Sequence, residues 1–317
     1  MSDGSLADRD GWIWHNGELV PWRDAKVHLL THTLHYGLGV FEGVRAYHTP
    51  QGAAIFRLED HTRRLFQSAH ILNMKIPFTE TQVNEAQLAV VRENGLDEGY
   101  LRPMAYLGSE AMGLRATGLS VNLMIAAWPW PNYMDESARD RGIKVRTSSY
   151  TRHHVNITMC KAKANGNYIN SILALQEALE CGCDEALLLD NEGYVAEGSG
   201  ENIFIVRNGE LHTPELTSCL DGITRRTLFA LADEAGYRIR ERRITRDEVY
   251  VADEAFFTGT AAEVLPIREL DGRSIGNGGR GPITEVLQTA YFAQVRGQRD
   301  AFPEWLHPVN PPVRATG

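Results

Sequence analysis

The sequence predicts a mixed α/β protein of two domains, from β-rich runs beside turn dipeptides, apolar residues recurring at helical spacing, and a mid-chain break in that patterning. The opening WIWHNGELV sets two short β-rich pieces around Asn16-Gly17, a dipeptide that readily takes the positive φ angles of a tight hairpin. From Leu58 to Asn73, Leu65, Ala69 and Leu72 recur at helical spacing among charged residues. Thr79 and Gln82 then fit a capping box before a second helix, with Gly95 as its stop. Strand-like runs follow at Tyr100 to Leu107 and Val121 to Trp128. From Pro129 to Gly142 prolines and charges replace periodic apolar residues, so the expected division is a domain at 1–128, a connecting loop at 129–142 and a larger domain at 143–317. In the second half, strands are expected near Lys144 to Ser148, Glu185 to Asp190, Tyr194 to Glu197 and Asn202 to Val206. Helices are expected near Asn167 to Glu180, Ile223 to Ala235 and Ile283 to Val295, the last begun by Pro282.

The chain has 317 residues, 43% of them hydrophobic, enough to bury a large core. No apolar run reaches the length of a membrane span, and MSDGSLADRDGW has neither the basic start nor the apolar stretch of a secretion signal. The expectation is a soluble cytoplasmic protein that takes no membrane as partner. Formal charge is −9 with acids and bases interspersed, which argues against nucleic acid. Anionic substrates would then need particular arginines. Cys160, Cys181, Cys183 and Cys219 form no zinc spacing, and neither His28, His32 and His35 nor His153-His154 brings a fourth ligand, so no metal is expected. GNGGRG at Gly276 to Gly281 has the spacing of a dinucleotide loop, but too little chain follows it for such a domain, and it reads as a loop before the last helix.

Only five of the 32 basic residues are lysines: Lys26, Lys75, Lys144, Lys161 and Lys163. Two fall in KAKANGNYIN, just ahead of a helical pattern, where composition alone would suggest a solvated loop. About thirty residues on, YVAEGSGENIFIV puts Glu197 at a strand end beside a glycine-rich bend, a place where backbone can approach a flat ligand closely. With these segments the chain strongly resembles the class IV aminotransferases, the fold type IV pyridoxal-phosphate family that includes branched-chain aminotransferases. The resemblance rests on HYGLGVFEGVRAY, RRLFQSA, YLRP, KANGNY, EGSGEN, GITR and GTAAE, in the family's order and over nearly the whole chain.

The resemblance implies a smaller mixed α/β N-terminal domain and a larger β-barrel-like C-terminal domain with surrounding helices, the site of pyridoxal 5'-phosphate lying at their interface. It makes Lys163 the lysine that holds the cofactor as a Schiff base and shuttles the substrate proton, both suited to a lysine whose pKa falls in a confined site. Lys161 lies outside the KANGNY spacing. Glu197 would pair with the pyridine nitrogen, with Glu201 as its substitute under another register, and Tyr168 would hold the phenolic oxygen. Arg64, the Ile223 and Thr224 amides and Thr260 would anchor the phosphate, since a helix start offers free amides and arginine a fork of donors. Arg63 reads as a solvated helix charge.

Phe41, Gly43, Arg45, Tyr100 and Arg102 match the branched-chain pattern, and by the same resemblance Tyr36, Leu114, Trp130 and Tyr133 complete an apolar pocket, with Tyr36 and Leu114 reaching in from a partner subunit. Such walls favour leucine, isoleucine and valine. Arg102, assisted by Tyr36, is the candidate for the distal carboxylate of 2-oxoglutarate, and Tyr100, Thr260 and the Ala261 amide for the α-carboxylate. The implied activity is ping-pong transamination by at least a homodimer, some family members forming trimers of dimers. Within the family the alternatives are a D-amino-acid or (R)-amine transaminase or an aminodeoxychorismate lyase.

Overall fold

The structure, a computed structural model, describes residues 5–130 and 137–310. Two compact units make up the chain: Met1–Pro131 with Ala162–Gly166 and Gln294–Gly317, and Asn132–Lys161 with Asn167–Ala293. The division is thus not a single cut, because the short piece around Lys163 and the last stretch of chain both return to the first unit. Tyr133 lies outside the described residues. No helix among the described residues is long and apolar enough to cross a membrane.

The first unit is built on an antiparallel sheet in the order Leu306–Pro308, Gly52–Phe56, Val44–Thr49, Gly99–Leu107, Val121–Trp128, Trp12–His15 and Glu18–Pro21, with Gly39–Phe41 also paired to Gly99–Leu107. The opening hairpin forms as read, Asn16 and Gly17 taking φ of 51° and 105°. Helices Leu58–Ile71 and Glu80–Glu93 follow, the second begun by the Thr79–Gln82 capping box and followed by Gly95 at φ 59°. Val44–Thr49 and Gly52–Phe56 escape a pattern reading for a physical reason: both faces of the pair are buried almost throughout, so apolar and polar residues do not alternate. Leu65, Val83, Val90, Leu101, Leu123 and Ile125 lie at the centre of the core, with Trp14 edge-on to Phe78 at 5.0 Å.

The second unit carries a mixed sheet in the order Val195–Gly198, Glu185–Leu189, Ile143–Thr147, Glu263–Leu270, Glu254–Gly259, Asn202–Arg207, Glu210–Thr213 and Ile239–Glu241, with Arg273–Ser274 on Glu263–Leu270. Only the bend 199–201 joins edge strand Val195–Gly198 to Asn202–Arg207 several strands away, so the sheet must curl back on itself as a half-barrel. Helices Tyr168–Glu180, Ile223–Glu234 and Pro282–Val295 stand where the periodicity places them. The GNGGRG stretch is a loop leading into the last of these. Glu254 receives Ile283 N at 3.0 Å and Thr284 N at 2.7 Å, capping that helix at its Pro282 start.

Candidate active site

On the first unit, Ala162–Gly166 is annealed to the strand Gly39–Phe41. Val40 and Ala164 form a bridge, Phe41 N donates to Lys163 O at 3.0 Å, and Lys163 N donates to Ser68 Oγ at 3.0 Å. With its backbone held on both sides, Lys163 lays its amine over Phe41, Nζ standing 5.1 Å from the ring centroid. The Arg102 guanidinium lies 4.6 Å from the same centroid and donates to Tyr100 Oη at 3.2 Å. Tyr100 and Arg102 are two apart on one strand and so share a face, and Trp130 closes on Tyr100 with ring centroids 4.5 Å apart. A Cβ at position 43 would overlap the Tyr100 hydroxyl, so only glycine leaves that ring where it stands. Gly43→Ala should therefore displace Tyr100 and cut kcat/KM by about 10²-fold, the scale expected of a misplacement near 1 Å, with the thermal midpoint little changed; an unaltered kcat/KM would refute it.

Arg45 is buried and faces Tyr47, its guanidinium 5.4 Å from that ring. Tyr36 and Leu114 are not gathered into the Phe41 group: they are 43% and 90% exposed, and the Tyr36 hydroxyl accepts from Gly113 N at 3.1 Å.

Arg64 lies on the helix Leu58–Ile71, which also carries Ser68, the acceptor of Lys163 N. His61, Arg64 and Ser68 share a face of the helix Leu58–Ile71 at spacings of three and four, all buried. Arg64 Nε and Nη2 donate to the two oxygens of Glu42 at 2.6 and 2.9 Å, and His61 Nδ1 lies 2.7 Å from Glu42 Oε2. Burial pushes the Glu42 carboxyl up, but Arg64 first and His61 next outweigh it and hold the group well below its ordinary value. Burial pushes His61 down; Glu42 opposes this, and the charges of Arg64 and Lys163 reinforce it. Arg63 is exposed and pairs with Asp60 at 3.2 Å.

The second unit presents its own set. Glu197 is buried at a strand end, Oε1 lying 2.8 Å from Arg152 Nη2 and Oε2 accepting from Leu220 N at 3.2 Å. Oε1 is in ion-pair contact yet receives no aligned hydrogen bond among the described residues. Glu201 instead accepts from Gly200 N at 2.9 Å, within the bend itself. Tyr168 opens the helix that follows the turn Asn165–Asn167. Gly222 precedes the helix Ile223–Glu234 and brings no side-chain cap, so buried Ile223 and Thr224 begin the helix with their amides unclaimed by a side-chain cap. Thr260 and Ala261 form the half-buried turn between strands Glu254–Gly259 and Glu263–Leu270. Lys161 turns its amine to the carbonyls of Leu216 and Cys219, the latter at 2.8 Å. Burial, aided by the nearby Glu197 charge, pushes the Cys219 thiol up to about 12.

Four residues in these surroundings were not singled out from the sequence: Glu42, His61, Ser68 and Arg152. Helical spacing from Arg64 could have drawn out His61 and Ser68, whereas no local signal points to Arg152.

A sequence profile described as amino-transferase class IV matches residues 39–270. The chain is 67% identical to a branched-chain-amino-acid aminotransferase of Pseudomonas aeruginosa over 95% of its own length and 98% of the relative's. Against the enzyme of that name from Escherichia coli identity is 42%, covering 94% and 97%. Two solved structures superpose with TM-scores of 0.93: a T.th. branched-chain amino acid aminotransferase with pyridoxamine 5'-phosphate, at 47% identity over 95% of this chain and 99% of that one, and the Escherichia coli branched-chain amino acid aminotransferase, at 42% over 95% and 100%. The chain belongs to the class IV aminotransferase family.

Proposed function

We infer that this protein is a branched-chain-amino-acid aminotransferase, which moves the amino group of L-leucine, L-isoleucine or L-valine to 2-oxoglutarate and back with pyridoxal 5'-phosphate as cofactor. The observation that carries the reading is the Phe41 ring, with the Lys163 amine 5.1 Å and the Arg102 guanidinium 4.6 Å from its centroid: a reactive amine, an apolar wall and a carboxylate fork on one spot. Identity of 67% to a protein of that name, and a neighbour solved with N-(5'-phosphopyridoxyl)-L-glutamate, support the activity and the cofactor.

The residues present fit that cofactor. Glu197 Oε1 is a buried acceptor lacking an aligned donor among the described residues, the helix at Ile223 begins without a side-chain cap, and Arg64 is a buried arginine. In this reading Glu197 would hold the ring nitrogen, Tyr168 the phenolic oxygen, and Arg64, the Ile223 and Thr224 amides and Thr260 the phosphate. The cofactor supplies, when bound, an electrophilic carbon and a ring that accepts the electrons freed at the substrate Cα. Lys163 is its covalent attachment point, and the Lys163 amine moves the proton on and off the substrate Cα. Phe41 and Trp130 wall the side-chain pocket. Gly43 leaves room for the Tyr100 hydroxyl, which with Thr260 and the Ala261 amide takes the α-carboxylate, while Arg102 with Tyr36 takes the distal carboxylate of glutamate or 2-oxoglutarate. Because the two substrates use one place in turn, kinetics should be ping-pong.

Leu29, Leu34 and Leu114 are 81%, 62% and 90% exposed on the first unit, an apolar surface suited to a second copy of the chain. The reading therefore includes at least a homodimer with Tyr36 and Leu114 reaching the partner's pocket. It places the enzyme in the cytoplasm, where its free cysteines stay reduced.

Turnover of L-leucine with 2-oxoglutarate, set beside D-alanine and (R)-phenylethylamine, tests the assignment, and silence toward L-leucine would overturn it. Arg102→Met should raise KM for 2-oxoglutarate by about 30-fold or more and leave the leucine half-reaction within about twofold. Equal losses in both half-reactions would remove Arg102 from the distal-carboxylate role.

A further inference from the structure

Arg152 stands apart from the binding set just described, and its surroundings are unusual for an arginine. It is 7% exposed and Glu197 is 4% exposed, so both partners of their ion pair are out of water. Its backbone N donates to Leu189 O at 2.8 Å, and Nη1 reaches Asn170 Oδ1 and Ser171 Oγ, each at 3.3 Å. Those two acceptors lie in the first turn of the helix Tyr168–Glu180, so the helix that presents Tyr168 also orients the guanidinium. Nη2 is then left against Glu197 Oε1 at 2.8 Å.

The other groups near Glu197 do not compete for this role. The thiols of Cys160 and Cys219 are raised by burial and by the Glu197 charge and remain protonated, Lys161 donates to the Leu216 and Cys219 carbonyls, and Arg225 pairs with Glu241 at 2.6 Å. Arg152 is thus the cation in direct contact with Glu197 among the described residues.

A buried carboxylic acid facing a pyridine nitrogen has two ways to place one proton, as neutral acid and neutral ring or as carboxylate and ring cation. In a dry site the neutral pair is favoured, since neither partner then carries a desolvated charge. A guanidinium against the carboxylate and farther from the ring reverses that preference, because its attraction for the near anion exceeds its repulsion of the more distant cation. We propose that Arg152 is a positioning residue that keeps Glu197 ionised, so that the shared proton resides on the cofactor's ring nitrogen and not on the carboxyl. The inference rests on the assignment of Glu197 to that nitrogen.

The test is the ¹⁵N resonance of the ring nitrogen in holoenzyme reconstituted with ¹⁵N-labelled pyridoxal 5'-phosphate at neutral pH. Free cofactor above and below its nitrogen pKa, together with Glu197→Gln enzyme, calibrates the protonated and neutral positions. Arg152→Gln should move the resonance more than half of the way to the Glu197→Gln position, while Arg152→Lys, which keeps the charge, should stay near wild type. A wild-type resonance in Arg152→Gln overturns the inference. A wild-type resonance in Glu197→Gln overturns the assignment of Glu197 itself. If Arg152→Gln yields no folded holoenzyme, the double variant Arg152→Gln/Glu197→Gln decides. Recovery of folded, cofactor-binding protein shows that Arg152 acts through the Glu197 charge, and failure equal to the single variant's refutes it.

Discussion

Lys163→Ala should lower kcat for leucine transamination by about 10³-fold or more, since in the proposed roles the variant would lose both the attachment point of the cofactor and the amine that moves the Cα proton. Lys161→Ala should retain most activity, because that amine serves the carbonyls of Leu216 and Cys219. Borohydride reduction and peptide mapping give an independent readout, in which a pyridoxyl group is expected on Lys163. Label on Lys161, or a Lys163→Ala enzyme within tenfold of wild type, would contradict the assignment. The contrast matters because the two lysines are two residues apart yet belong to different units. Hydrogen bonds of Lys163 N to Ser68 Oγ and of Phe41 N to Lys163 O, both at 3.0 Å, fasten one of them beside Phe41.

The second large effect is on stability. Removing Glu42 leaves Arg64 and His61 facing each other in a buried place, and an ion pair broken from one side costs about 3–5 kcal/mol. Glu42→Ala should accordingly lower the urea midpoint strongly at fixed protein concentration, and Arg64→Ala should do the same by stranding the carboxylate. A Glu42→Ala protein unfolding within about 0.5 kcal/mol of wild type would show that the cluster is not holding the fold. The same cluster sets an acid limit. Glu42 is held below its ordinary value of 4.5, so its contribution is present above that pH and is lost as pH falls toward the folded value. Burial holds His61 below 6.5 despite Glu42, so as pH drops through 6.5 the unfolded chain takes up the proton first and stability falls. Replacing His61 by Gln should flatten the dependence of the urea midpoint on pH between about 6.5 and 4.5, and an unchanged slope would assign the acid sensitivity elsewhere.

Local features of the fold were readable along the chain. The Asn16-Gly17 hairpin, the Thr79–Gln82 box and the helices from Tyr168, Ile223 and Pro282 each depend on residues a few positions apart, where backbone conformation and capping are decided. Strands such as Val44–Thr49 and Glu254–Gly259 were not, because burial on both faces erases alternation. The candidate site divides along similar lines. Lys163 and Tyr168 are tied by a five-residue interval across a tight turn, and Tyr100 with Arg102 by the two-residue repeat of a strand.

Order along the chain was therefore sufficient for the family, for singling out Lys163 as the candidate, and for the short intervals between candidate residues, since motif spacing and local geometry are properties of neighbouring residues. It could not say which buried charges would find one another. Glu42 with Arg64 and His61, and Arg152 with Glu197, are pairings between residues 19 to 45 positions apart. Nor could it show that Lys163 leaves the unit of its neighbours to lie on Gly39–Phe41. A charge withdrawn from water must meet an opposite charge or a hydrogen-bond partner, and which one it meets depends on how sheets and helices pack rather than on its place in the chain.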